Sequence, residues 1–247
     1  MLIDTHCHLN DFEDIAAVIA RARDAGVGAL VAASAHPDDF VKNIALCEKY
    51  ENIFTTIGIH PEYAGTSCEL PDLSHKKIIG VGEIGLDYHY GNENRNAQLE
   101  LFRAQLEIAR RAKLPVAIHT REAEDDTAEI LKEFDISGVL HCFTSSWDLA
   151  RTMLDRGFYF SASGIITFKN SEELRDTFRK IPNDRIVIET DSPYCAPVPY
   201  RGKPCEPFMV AETAKILAQI KNLPIGDLEI ILNDNTKKLY PKLCPDR

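Results

Sequence analysis

The sequence predicts an α/β fold, a TIM-type (β/α)8 barrel, and three observations carry that expectation. Eight short apolar runs recur along the chain, amphipathic segments of helical period separate them, and five of the eight histidines stand where those runs end. Apolar runs that do not alternate with polar residues suit strands buried on both faces, as in a parallel sheet. Eight such runs divided by helices favour a closed barrel over an open sheet. A seven-stranded or distorted barrel is the alternative, because the weakest runs carry little signal. The 247 residues suit one hydrolase-sized barrel domain spanning 1–247, large enough to bury a core without disulfides or a structural metal.

The first strand is read at Leu2–Thr5, with a helix over Asp11–Ala25. The second, Gly28–Ala33, leads to a helix over Pro37–Glu51, and the third is Ile53–Ile59. After His60 the connection is short, contains proline and has little helical character. Ile78–Ile84 leads to the clearest helix, Asn96–Ala112. There Leu99, Phe102, Leu106 and Ala109 make an apolar stripe, and Glu100, Arg103, Glu107 and Arg110 face water. Pro115 stops that helix and opens the fifth strand, Pro115–His119. The alternation continues with Ala123–Glu133, Gly138–Phe143, Ser146–Arg156, Phe158–Ser163, Ser171–Ile181, Arg185–Thr190 and Glu206–Ile220. Lys237, Lys238 and Lys242 read as a solvated tail.

Composition narrows the function. Apolar residues make up 45% and charged residues 27%, as in a soluble globular protein. No apolar run nears the ~20 residues that cross a bilayer, and Met1–Asp4 lacks the basic and apolar regions of a secretory signal. Seven cysteines without a Cys-x-x-Cys pair fit free thiols in a reducing cytosol, so a cytoplasmic location is expected. A net charge of −10 argues against broad, non-specific nucleic-acid binding. A polyanionic substrate would have to be met locally, by bound metal and a few cations. Neither a membrane nor a protein partner is signalled, there being no exposed heptad or basic tail.

Active sites of such barrels lie at the carboxyl ends of the strands. The first strand ends in Asp4-Thr5-His6-Cys7-His8, where alternation turns His6 and His8 to one side and Cys7 to the other. The third ends at His60, the fourth holds Glu83 in an apolar run, the fifth ends in His119, the sixth in His141 and the eighth in Asp191. A buried carboxylate such as Glu83 needs a cation, a donor or a metal. Four histidines and two carboxylates (His6, His8, Glu83, His119, His141 and Asp191) are too many for one tetrahedral ion and fit a pair of metals. Imidazole-rich ligation favours Zn, Mn, Fe or Ni over Ca, with Mg possible but less suited. Two close cations can activate water and clamp a phosphoryl or carbonyl oxygen. His60, Asp87, Arg121, Lys169 and Arg201 occupy neighbouring loops, where cationic groups could hold a phosphate. Trp147 and Tyr194 could stack on a base.

These residues resemble the TatD-type metal-dependent deoxyribonucleases of the amidohydrolase superfamily over nearly the whole chain. The resemblance rests on Ile3–Leu9, Gly58–Pro61, Val81–Tyr88, Leu114–Val116 with His119 and Arg121, and His141-Cys142-Phe143. It continues in Ser163-Gly164, Thr167–Asn170, Glu189–Tyr194, Arg201-Gly202-Lys203 and Asn235-Thr236. It implies two divalent ions, one held by His6, His8, Glu83 and Asp191, the other by Glu83, His119 and His141. Glu83 and Asp191 would be the catalytic residues, Glu83 bridging and Asp191 handling the water proton, while His60, Arg121 and Arg201 bind the substrate phosphate. The activity implied is 3′-to-5′ exonuclease cleavage of single-stranded DNA, in some members RNA. This chain departs from the pattern at Pro204-Cys205, where many members carry Arg-Asn, and at Thr144-Ser145, where Ser-Gly is common. Those changes bear on substrate choice and leave the ligands intact. The same site could instead hydrolyse a small ester, amide or lactone, or an aminoacyl-tRNA. A non-enzymatic metal-bound scaffold is the third reading, against which the complete ligand set argues.

Overall fold

All eight apolar runs form strands: β1 Leu2–Cys7, β2 Val27–Ala33, β3 Ile53–Ile57, β4 Ile78–Asp87, β5 Val116–Arg121, β6 Gly138–Leu140, β7 Tyr159–Ala162 and β8 Ile186–Ile188. They are parallel and ordered as in the chain, each paired with the next from β1 to β8. The computed structural model describes residues 1–65, 67, 69–91 and 93–243, so Cys68 and Cys244 lie outside the described residues. The outer layer consists of α1 Ile15–Asp24, α2 Pro37–Lys49, α3 Arg95–Ala112, α4 Glu124–Lys132, α5 Trp147–Leu154, α6 Glu172–Lys180, α7 Val210–Lys221 and α8 Ile225–Leu239. Between β3 and β4 there is one 3-10 turn, Pro61–Tyr63, and no α-helix among the described residues. None of the described helices is long and apolar enough to cross a membrane.

One apolar cluster takes residues from every strand: Ile3, Val31, Phe54, Ile79, Ala117, Val139, Tyr159 and Val187. These fill the barrel, since successive strand residues point to opposite faces. The same cluster holds Leu239, Tyr240 and Leu243. The segment read as a solvated tail is therefore part of the core. Lys237 and Lys238 are exposed on the last turn of α8, but Lys242 Nζ donates to the carbonyls of Ile78 at 3.2 Å and Leu73 at 3.5 Å. Tyr240 is fully buried.

No ladder pairs β8 with β1 among the described residues. The backbone beyond β8 closes the barrel: Asp191 N donates to His6 O at 2.9 Å, and His8 N donates to Ser192 O at 2.7 Å. The buried Asp4 carboxyl group ties the same seam, accepting from Thr190 N at 2.9 Å, Thr190 Oγ1 at 2.6 Å and His6 N at 3.3 Å. Register shifts interrupt β1 between Asp4 and Cys7 and β4 between Val81 and Ile84, at His6 and Glu83. Such irregularities re-aim side chains at the rim of a barrel. Gly85, opposite His119, has φ +143°, and a Cβ there would collide with His119 O. Only glycine allows β4 and β5 to approach this closely where both carry site residues.

Candidate metal centre

Glu83 stands at the middle of five imidazoles at the carboxyl end of the barrel. Its Oε1 lies 2.7 Å from His141 Nε2, 2.9 Å from His119 Nδ1 and 3.6 Å from His60 Nε2. Its Oε2 lies 3.3 Å from His6 Nε2 and 3.6 Å from His8 Nε2. Asp191 Oδ1 completes the second group, 3.6 Å from His8 Nε2 and 3.9 Å from His6 Nε2. The structure thus brings together all six residues expected as ligands. His6 and His8 do face one way, while Cys7 is fully buried. Asp191 adopts a left-handed conformation, φ 56°, which costs a non-glycine residue about 1 kcal/mol and turns its carboxylate inward.

The rings are oriented by groups that sequence reading gave little weight. His119 Nε2 meets Asp87 Oδ2 at 2.9 Å, which leaves Nδ1 to face Glu83. His141 Nδ1 faces Glu189 Oε1 at 3.4 Å, and Glu189 Oε1 also accepts from Cys142 N at 2.6 Å. Carboxylates behind the outer nitrogens of metal-binding histidines fix ring direction and raise basicity. His60 differs: its Nδ1 accepts from Glu62 N at 3.2 Å, capping the 3-10 turn, so the neutral ring carries its hydrogen on Nε2, toward the centre.

Burial opposes charge on every ring, and the neighbours decide the outcome. At His141 burial is outweighed by Glu83 and Glu189, which hold it well above the usual imidazole value. His119 is raised despite burial by Asp87 and Glu83, and His8 by Asp191 and Glu83. His6 is lowered by burial and by the charge of His141, and burial takes His60 down to about 4. Burial would raise Glu83, but His141, His60 and His119 keep it well below the carboxylate range. Asp191 is lowered too, His8, His141 and His6 overriding its burial.

This donor set fits divalent cations. Each Glu83 oxygen faces imidazole nitrogens on its own side, and His6 Nε2 is buried without a hydrogen-bond partner. Ligand atoms of His6, Glu83 and His141 lie within 4.8 Å of one another, as do those of His6, His8 and Asp191 and those of His60, Glu83 and His119. A ring whose far nitrogen is engaged by a carboxylate and whose near nitrogen faces another needs either a proton or a cation between them. The mix of imidazole and carboxylate suits Zn, Mn or a similar ion.

The residues expected around the substrate are placed differently from one another. His60 stands within the cluster. Arg121, exposed at the end of β5, lies against Tyr90 with its guanidinium 5.6 Å from the ring centre. Arg201 covers the Phe168 ring at 3.8 Å and donates to Ala196 O at 3.4 Å. Tyr194 is 58% exposed, its ring 6.0 Å from that of His8. Trp147 packs on the core beneath Lys180, and Lys169 is exposed. Of the pair that departs from the family pattern, Pro204 is exposed, while Cys205 is fully buried beside Ala196 and Met209.

The profile of the family described as TatD related DNase matches residues 3–241. The chain belongs to the TatD family. A metal-dependent hydrolase of Escherichia coli K12, YcfH, is 38% identical, the match covering 97% of this chain and 95% of that one. YabD of Bacillus subtilis, also described as a metal-dependent hydrolase, is 37% identical over 97% and 99%. The crystal structure of YJJV, a TatD homologue of Escherichia coli, superposes with a TM-score of 0.89 at 30% identity, covering 99% of this chain and 98% of that one. TatD membership and the assembled cluster make the protein a metal-dependent hydrolase.

Two glutamines that pattern reading would leave in water hold the backbone behind the TatD centre. Gln105 pairs with both polar atoms of Ile59, accepting from its N at 2.7 Å and donating to its O at 2.9 Å. One helical face away by seven residues, Gln98 does the same for Asp87, at 2.8 Å and 2.8 Å. Helix α3 therefore fixes the residue before His60 and the residue that orients His119. Gln105→Leu is expected to lower stability by about 2–4 kcal/mol, because it strands a buried N–H and C=O. Urea denaturation measures this; a loss below about 0.5 kcal/mol, the range of a surface change, would contradict the role.

Proposed function

We propose that the chain is a deoxyribonuclease that removes nucleotides from the 3′ end of single-stranded DNA, with RNA as a secondary substrate, using two divalent ions. The observation that carries this reading is the division of Glu83, Oε2 toward His6 and His8, Oε1 toward His119 and His141. His6, His8, Glu83 and Asp191 would hold one ion, and Glu83, His119 and His141 the other. Bound there, two divalent cations activate a water molecule and neutralise charge at the phosphoryl oxygens.

The protein's own groups supply the rest. Asp191 stays ionised at neutral pH and accepts the proton of the attacking water. Neutral His60 presents Nε2–H, a donor suited to a non-bridging phosphate oxygen. Arg121 and Arg201 hold neighbouring phosphates, where a guanidinium can make paired contacts. Tyr194, exposed beside His8, offers its face to the terminal base. These cations are local, which reconciles a polyanionic substrate with a net charge of −10.

The test is cleavage of single strands labelled at either end, after metal removal and addition of Mn, Zn, Co or Mg. The expected result is metal-dependent shortening from the 3′ end. If no nucleic acid is cut while esters, lactones or aminoacyl-tRNA are turned over, the nuclease reading fails and the centre serves carbonyl chemistry.

A further inference from the structure

A second group of potential ligands adjoins the centre at Asp191. Cys142 Sγ and Cys195 Sγ are 4.0 Å apart, and Cys195 Sγ lies 3.6 Å from Asp191 Oδ2. The two cysteines are 53 residues apart in sequence, and both adopt left-handed backbone conformations, φ 38° and 55°. Cys142 also donates to Ser163 Oγ at 3.2 Å, and its backbone N–H is held by Glu189. Ligand atoms of Cys142, Asp191 and Cys195 all lie within 4.8 Å of one another, and all three residues are partly accessible. Asp191 therefore shows Oδ1 to the histidines and Oδ2 to the thiols.

Distances decide what the thiols are arranged to do. A disulfide requires about 2.0 Å between sulfurs, half the separation here. A tetrahedral ion with Zn–S near 2.3 Å and Zn–O near 2.1 Å spans S···S edges of about 3.8 Å and S···O edges of about 3.6 Å. The observed 4.0 and 3.6 Å match the second arrangement. We infer that Cys142, Cys195 and Asp191 Oδ2 form a separate site for a thiophilic divalent cation such as zinc or cadmium, with solvent as the fourth ligand. Binding releases the two thiol protons to solvent. The site exists whichever bond the enzyme breaks. Its consequence for activity rests on the role proposed for Asp191: an ion on Oδ2 occupies the carboxylate that takes the water proton, so excess zinc inhibits.

The experiment titrates cadmium into the reduced, manganese-loaded protein and follows the ultraviolet thiolate-to-cadmium charge-transfer band, with turnover recorded in parallel. The wild type is expected to saturate at one thiolate-bound ion per chain. Cys142→Ser and Cys195→Ser are each expected to weaken that ion about 100-fold, while Cys47→Ser, remote in α2, leaves the band intact. No band in the wild type, an unchanged band in both site variants, or recovery of the pair as a disulfide without a thiolate-bound ion overturns the proposal. A thiolate-bound ion with undiminished turnover supports the site and overturns instead the role given to Asp191.

Discussion

Glu83→Gln is expected to lower kcat by at least about 10³-fold and to leave the purified protein with less than half the wild-type metal content. The carboxylate is 4% exposed and serves five imidazoles, three through Oε1 and two through Oε2. Glutamine keeps the shape but offers one oxygen and an N–H₂, so one side of the centre faces donors where it had an acceptor. Each tenfold loss in rate is about 1.4 kcal/mol, and the expected loss of about 4 kcal/mol or more is modest for removing the charge shared between two cations. Metal content by elemental analysis and turnover by the end-labelled assay check both halves. Glutamine keeps the size and shape of the buried side chain, so the fold should survive, as circular dichroism will show. Full activity with full metal content would remove Glu83 from the mechanism.

The strands were readable because a strand buried on both faces writes an unbroken apolar run, and the ligands because histidines that end such runs stand out. Four strands, β3, β6, β7 and β8, end earlier than the runs suggest, and for β6 and β8 the site explains why. The run Gly138–Phe143 pairs only to Leu140, since Cys142 turns left-handed just after His141. Likewise β8 stops at Ile188 because Glu189, Thr190 and Asp191 leave the ladder to face the centre and the seam. Helix α8 escaped because its buried Leu228, Leu232 and Leu239 are separated by Asp, Asn and Lys, which dilute the stripe. Gln98 and Gln105 escaped because periodicity sorts residues by hydropathy, and a buried amide paired to backbone looks like any exposed one. The Cys142–Cys195 pair exists only once the barrel closes, so spacing along the chain carries no trace of it.

Asp4→Ala is expected to cost about 3–5 kcal/mol of stability, whereas Asp4→Asn should cost about 1 kcal/mol or less. Alanine strands three donors, Thr190 N, Thr190 Oγ1 and His6 N, at the one seam where β1 and β8 share no ladder. Burial pushes the Asp4 carboxyl up to about 8, against the pull of the hydrogen bonds from Thr190 and His6, so at neutral pH it carries a proton. In that state Oδ1 accepts both backbone N–H groups. Oδ2 accepts from Thr190 Oγ1 at 2.6 Å, a hydroxyl that itself accepts from Ser192 N at 3.2 Å. An asparagine keeps Oδ1 for the two backbone N–H groups, and its Nδ2 donates to Thr190 Oγ1 once that hydroxyl rotates. The sign of the pH effect follows. A carboxyl whose folded value is raised contributes stability that is complete below the unfolded value of about 3.9 and is lost as pH rises through about 8. Between those limits the wild type should therefore lose stability relative to Asp4→Asn by up to about 1.4 kcal/mol per pH unit, read from urea midpoints. If Asn destabilises as much as Ala, and the gap does not move with pH, Asp4 closes the barrel as a carboxylate. Either way the seam sets function as well as stability, because His6 and Asp191 flank it and their backbones are joined across it.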